Sequence, residues 1–466
     1  MTTQKAERTF YPGYQVMQPI DPQWAWSEYV PTEAQPWNRR AAAHLFRRAG
    51  FGASATKLDE AIKQAPVDAV RKLVSEDTNS TNFETQADAL ARTVIAGGDP
   101  KQLAAAWVYR LLYTPAQLLE KTTLFWHGHF ATGAEKVQDA EVMWAQNQLL
   151  RENALGDFEP LVQAISRDPA MLVYLDSATN RKAHPNENYA RELMELFCLG
   201  EGNYNEKDVQ QLARCFTGWE IRNKKFRKNS YQHDNDAKQL LGKSGDFDGE
   251  DAVRIVLEQD ALPYFIVGKL VRYFVFDEPL AARELLKPLA DQFRSGGLKI
   301  GPIVARILSS NLFFSEHALA RKVRSPIELA IGFLRALEGT TNTVRLADNL
   351  TKLGHGLFYP PNVKGWDGGR AWINSSTLLG RANLVRDILN HESTKFATGS
   401  LDAYVRSQKL DSPQSIVGWF SDLLLAVPLA PAIETQFVKL LDSLPKENQL
   451  REVLHTMSTL PEFQLV

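Results

Sequence analysis

From about Asn38 to the end of the chain, apolar residues recur at three- and four-residue intervals almost without a break, the spacing of one helix face. This periodicity predicts helices at 39–49, 54–63, 66–75, 83–96, 101–112, 115–127, 136–154, 156–167, 187–199 and 206–216. Others follow between 249 and 458, many of them starting after Ser, Thr, Asp, Asn or Pro as helix N-termini do. The one strand-like stretch is Trp219–Tyr231, where Ile221 and Phe226 bracket a turn-like Arg222–Lys225. Strands do not alternate with helices, so a Rossmann sheet or an α/β barrel is not expected. The expected fold is mainly α, a large irregular multi-helix domain with one short β-hairpin. Residues 1–38, rich in Pro, Trp and Tyr, read as an extended arm on that body, because Trp24, Trp26 and Trp37 are costly to leave in water. Residues 39–395 read as the main helical domain and 396–466 as a C-terminal helical subdomain.

The most informative run is Asn186–Trp219. On a helical wheel Glu187, Asn188, Arg191, Glu192 and Glu195 share one arc, and Tyr189, Ala190, Leu193, Met194, Leu196 and Phe197 fill the other. The second helix starts after Asn205 and carries Val209, Leu212, Ala213 and Phe216 on one stripe. A stripe of three carboxylates, an Arg and an Asn is either a solvated face or the wall of a polar site. As a solvated face, Glu187–Arg191 and Arg191–Glu195 contribute only about 0.2–0.5 kcal/mol each. As a wall, Glu192 and Glu195 could serve a divalent cation or an acid/base pair.

Bulk properties narrow the classes. The 466 residues carry 53 basic and 55 acidic side chains, a net charge of -2, so nothing drives the whole chain toward nucleic acid or membrane. The short basic run Arg222–Lys228 lacks the stacking aromatics of a nucleic-acid site. Two cysteines, Cys198 and Cys215, exclude a zinc finger; they lie in adjacent helices, where a bridge is geometrically conceivable, but read rather as two small core residues. No apolar run is long enough for a transmembrane helix, and the N-terminus has no apolar signal region, so a cytoplasmic location is expected.

Three further segments carry chemistry. Phe125-Trp126-His127-Gly128-His129-Phe130 places two imidazoles about a glycine at a helix end, a metal-ligand arrangement or a pair of hydrogen-bonded core groups. His233-Asp234-Asn235-Asp236 offers an imidazole with a carboxylate to orient it. Tyr359–Gly369, with two aromatics, Lys364 and five Pro or Gly residues, is a loop built to hold a shape.

Together these blocks resemble the bacterial domain-of-unknown-function family numbered 1800. The resemblance rests on their order: His44–Gly52, Phe125–Phe130, Asn186–Trp219, His233–Gly242, Arg324-Ser325-Pro326-Ile327-Glu328, Pro360–Trp372 and Pro461-Glu462-Phe463. It implies company rather than an activity. Members resemble proteins encoded beside a sulfatase-like family of unknown function, numbered 1501, and many appear exported; export of this chain with such a partner is therefore the alternative to the cytoplasm.

Two functions are expected. The first is a metal-assisted hydrolase or related enzyme acting on a carbohydrate or envelope polymer. His127, His129 and His233 would hold a divalent metal, and Glu192, Glu195, Arg191 and Asp234 would supply the catalytic groups. Trp126, Lys364 and Trp366 would bind substrate. The second is a non-catalytic helical scaffold or maturation partner of the sulfatase-like neighbour, with the same residues forming a buried polar network.

Overall fold

The computed structural model describes residues 20–75, 81–397 and 399–466. Among them are 26 α-helices and six short strands, so the chain is mainly α. The strands pair as three two-stranded antiparallel ribbons, where the sequence pattern predicted a single hairpin. In that hairpin β1 (Trp219–Arg222) pairs with β2 (Lys225–Lys228), Ile221 opposite Phe226. Its turn holds Asn223 and Lys224 at φ 51° and 59°, the positive values a tight two-residue hairpin requires. β3 (Lys238–Leu240) and β4 (Lys243–Gly245) turn through Leu241-Gly242 in the same way. β5 (Gly339–Thr340) pairs with the distant β6 (Lys395–Phe396). Strands of two or three residues are too short to display a period of two.

Of the expected N-terminal arm, residues 1–19 lie outside the described residues. The remainder contains a short helix, Pro22–Trp26, and docks through its rings. The buried Trp26 indole donates to the Leu285 carbonyl at 2.6 Å, and Trp37 donates to Gln64 at 2.9 Å. Trp24 stays 40% exposed, so only part of the arm's aromatic surface is hidden.

Helix Gln117–His129 runs through the interior and buries even its charged residues. Glu120 accepts from Arg151 at 2.6 Å, Arg110 at 3.1 Å and the Trp107 indole at 2.9 Å. Lys121 pairs with Glu328. A buried charge left alone costs several kcal/mol, so these partners are a condition of the helix lying inside.

The charged stripe at 187–199 sorts by face as the wheel predicts. Tyr189, Ala190, Leu193, Met194 and Phe197 are buried, Glu187, Arg191, Glu192 and Glu195 are half-buried and Asn188 is exposed; Leu196, expected on the apolar arc, departs from the pattern and is only half-buried. The segment is α-helical only over Asn188–Glu192; Leu193–Cys198 forms a π turn, in which Leu199 N reaches back five residues to the Met194 carbonyl at 2.8 Å. As the last turn of its helix, it leaves the Leu196 and Phe197 carbonyls to partners outside. Helix Glu206–Cys215, opened by an Asn205–Asp208 capping box, packs beside it, and Tyr189 meets Phe216 edge-on at 5.1 Å. Cys198 and Cys215 are both buried free thiols.

Candidate functional site

The end of helix Gln117–His129, helix Ala261–Phe274, the start of helix Pro326–Ala336 and the stretch His355–Trp372 meet around one cleft of about 200 Å³. Its charged base is satisfied from within. Lys322 donates to Asp277 at 2.8 Å, and the other Asp277 oxygen accepts from Val323 N at 2.8 Å. Glu328 accepts from Lys121 through one oxygen and from Ser325 N, at 2.7 Å, through the other. Burial by itself would raise the Glu328 carboxyl, but Lys121 and Lys322 outweigh it and hold the group well below the usual carboxylate range.

One wall is built on the π turn. Lys269 Nζ donates to the Leu196 carbonyl at 2.8 Å and contacts His129 Nδ1 at 3.2 Å. His129 Nε2 lies 3.0 Å from the Phe197 carbonyl, which makes Nε2 the protonated nitrogen and Nδ1 the acceptor. The two carbonyls freed at the end of the turn thus anchor an amine and an imidazole from two other helices. Burial lowers the Lys269 ammonium to about 8, and burial with the Lys269 charge puts His129 well below its ordinary value.

The opposite wall is aromatic. His355 stacks on Trp372 at 4.7 Å and meets Trp366 edge-on at 4.9 Å. Its Nδ1 is buried without a hydrogen-bond partner, and burial brings its pKa down to about 3. The loop is fixed by backbone contact. Gly365 has φ 75°, and a Cβ there would lie 2.1 Å from the Gly128 carbonyl oxygen, so only glycine fits. Phe358 N donates to His127 Nε2 at 3.1 Å, and Arg272 donates to the Asp367 carbonyl at 2.9 Å.

The expected metal set does not assemble. His127 is committed to Phe358 N, its ring packed at 5.0 Å on Trp107 and its pKa brought down by burial to about 3. His233 lies in a different cluster, its Nδ1 on the Thr217 carbonyl at 2.8 Å. Asp234 does not orient it but pairs with Arg214 at 2.7 Å. Among the described residues no group of three His, Cys, Asp or Glu side chains could hold one metal ion. The shared pocket of His127, His129, His233 and a carboxylate from the stripe is therefore corrected: only His129 of these lines the cleft, and the other two rings are held elsewhere, by the Phe358 amide and the Thr217 carbonyl.

The stripe lies outside the cleft lining. Arg191 is spent on Glu206 at 2.7 Å and Glu187 at 3.2 Å, and Glu195 accepts from the Tyr204 hydroxyl at 2.9 Å. Glu192 is raised by burial and by Glu195 and lowered by Lys364, which links the stripe to the cleft rim. Trp126 is fully buried, its indole donating to the Ala154 carbonyl at 2.9 Å, so it cannot stack on a substrate. Lys364 and Trp366 do line the cleft, as the loop's composition suggested.

Sequence reasoning missed Lys269, Arg272, Asp277, Lys322, Glu328, His355 and Trp372. Two signals were available: a lone lysine in the apolar run Ala261–Phe276, and His355 between Gly354 and Gly356.

No helix among the described residues is long and apolar enough to cross a membrane. A family model described as "Protein of unknown function (DUF1800)" matches residues 44–465. Neither a curated protein nor a solved structure matches the chain.

Proposed function

The chain belongs to the DUF1800 family, whose description assigns no activity, and we propose that its cleft binds an anionic saccharide, such as an acidic fragment of an envelope polymer. The observation that carries this reading is a surplus of cations. Arg272 and Lys364 line one cavity, and among the described residues neither is ion-paired; Lys269 adds a third charge when protonated, against the single further lining carboxylate Asp367. Lys322 and Lys121, by contrast, are neutralised by Asp277 and Glu328. Trp366 and Trp372 add flat faces beside these charges, an arrangement suited to a ring bearing carboxylate, phosphate or sulfate. Metal-assisted hydrolysis draws no support from the described residues, where no three ligating side chains meet. Nothing in them supports a sulfatase-like partner either.

The test is titration of the full chain with trigalacturonic acid and with neutral galactotriose, followed by tryptophan fluorescence and calorimetry. The acidic sugar is expected to bind more tightly. An Arg272→Ala/Lys364→Ala variant should bind it about tenfold more weakly or worse, the loss expected for charged hydrogen bonds. Absence of binding, equal affinity for both sugars, or an unchanged affinity in the variant overturns the reading.

A further inference from the structure

We infer that Lys269 is the reactive amine of the cleft, forming an imine through Nζ with the carbonyl carbon of an anionic aldehyde or ketone, the open-chain form of a sugar acid included. The inference rests on the anionic-ligand reading for its substrate class, but its geometric basis is separate. The Leu196 carbonyl and His129 Nδ1 are both acceptors, so they fix two N–H bonds of Lys269. A neutral tetrahedral amine with Cε and two committed hydrogens has one direction left, for its lone pair. Lys269 lines the cavity, and among the described residues no carboxylate pairs with it to hold the proton.

The surroundings favour the neutral form. Burial draws Lys269 down to about 8, with Arg272 on its own helix acting in the same sense. The groups facing it include Cys198 on the π turn, His129, and Lys364 and Asp367 on the cleft rim. Burial pushes the Cys198 thiol far up, so it brings no charge near pH 8. The Phe265 ring, 4.5 Å from Nζ, acts in the opposite sense and favours the ammonium.

In the reaction Nζ attacks the carbonyl carbon, a C–N bond forms, and a proton moves from nitrogen to the former carbonyl oxygen. The carbinolamine hydroxyl so formed takes up a second proton, the one the ammonium released to solvent on becoming the neutral nucleophile. The nitrogen lone pair closes the C=N bond, the C–O bond breaks, and the oxygen departs as water. Ammonium plus carbonyl gives protonated imine plus water, so charge and atoms balance without an oxidant or reductant. Arg272 and Lys364 are placed to hold the anionic group beside the reacting carbon.

The test uses glyoxylate, the smallest aldehyde that carries a carboxylate, with the full chain and sodium cyanoborohydride, which delivers hydride to an imine and leaves carboxymethyl-lysine. Peptide mapping by mass spectrometry should find Lys269 modified well ahead of exposed lysines, with a rate rising through pH about 8 rather than near the ordinary lysine value of about 10.4. Trigalacturonic acid should protect it. Lys269→Arg, which can still donate to the Leu196 carbonyl, should fold and abolish the fast modification, leaving Lys322 and Lys364 no more reactive than in the parent chain. Modification of Lys269 no faster than that of surface lysines overturns the inference. If the acidic sugar nevertheless binds, the saccharide reading survives without it. Rapid modification without protection by the sugar leaves Lys269 as the amine and removes the saccharide reading.

Discussion

Replacing Glu328 with Gln tests the charge balance beneath the cleft. Gln keeps the shape of the side chain and can still accept from Ser325 N, so the change removes charge and little else. Lys121, with 1% side-chain exposure, then loses its only ion-pair partner among the described residues. Arg324 and Arg381, both buried, also lose the carboxylate that favours their charged forms, and Arg48 loses the smaller of two, keeping Asp277. Stranding a buried charge in this way costs about 3–5 kcal/mol. Urea unfolding at neutral pH should show that loss in the midpoint. The folded Glu328 carboxyl titrates below its unfolded value of about 4.3, so its stabilisation is complete above that pH and fades as pH falls further. Wild type and variant should therefore converge in acid. Adding Lys121→Met to the variant should recover part of the loss, since an apolar replacement of the whole pair is often neutral. A cost below about 1 kcal/mol, or a constant gap down to acid pH, would refute the claim that Glu328 neutralises this cluster.

Three other substitutions probe separate features. Gly365→Ala forces a Cβ onto the Gly128 carbonyl and should abolish saccharide binding while lowering the urea midpoint; retained binding would show that the loop does not need this contact. His355→Phe removes an unpartnered buried nitrogen and should leave the midpoint unchanged or higher, whereas a loss above about 1 kcal/mol would mean that Nδ1 is bonded. Arg191→Ala breaks half-exposed pairs, so it should cost at most about 1 kcal/mol and leave saccharide affinity unaltered, as calorimetry would show.

The helical fold was legible because its signal repeats within each element. The β1–β2 hairpin was legible as well, since Ile221 and Phe226 flank its turn. The cleft was not, and the reason is physical. Its cations come from one helix, which carries Lys269 and Arg272, and from the non-helical Lys322 and Lys364 far along the chain, and no local pattern shows that they meet. Lys269 shares its helix with Arg272, but its partners Leu196 and His129 lie on other elements. The histidines misled for the opposite reason: His127-Gly128-His129 is a conspicuous motif whose rings are consumed by nearby backbone. Lys364 and Trp366 were found because proline and glycine mark a shaped loop whatever it encloses.

The π turn ties the reactivity of the cleft to the counting of residues. A π turn is an α turn with one residue inserted, and each residue advances an α-helix by about 100°. Deleting one residue between Leu193 and Cys198 would restore regular α-helix and swing the Leu196 and Phe197 carbonyls away from Lys269 and His129. No cleft side chain would have changed, yet the amine would lose its orientation and the imidazole its fixed tautomer. The chemistry of this pocket is thus gated by chain length in a neighbouring helix, so a related chain could keep every lining residue and still lack the function.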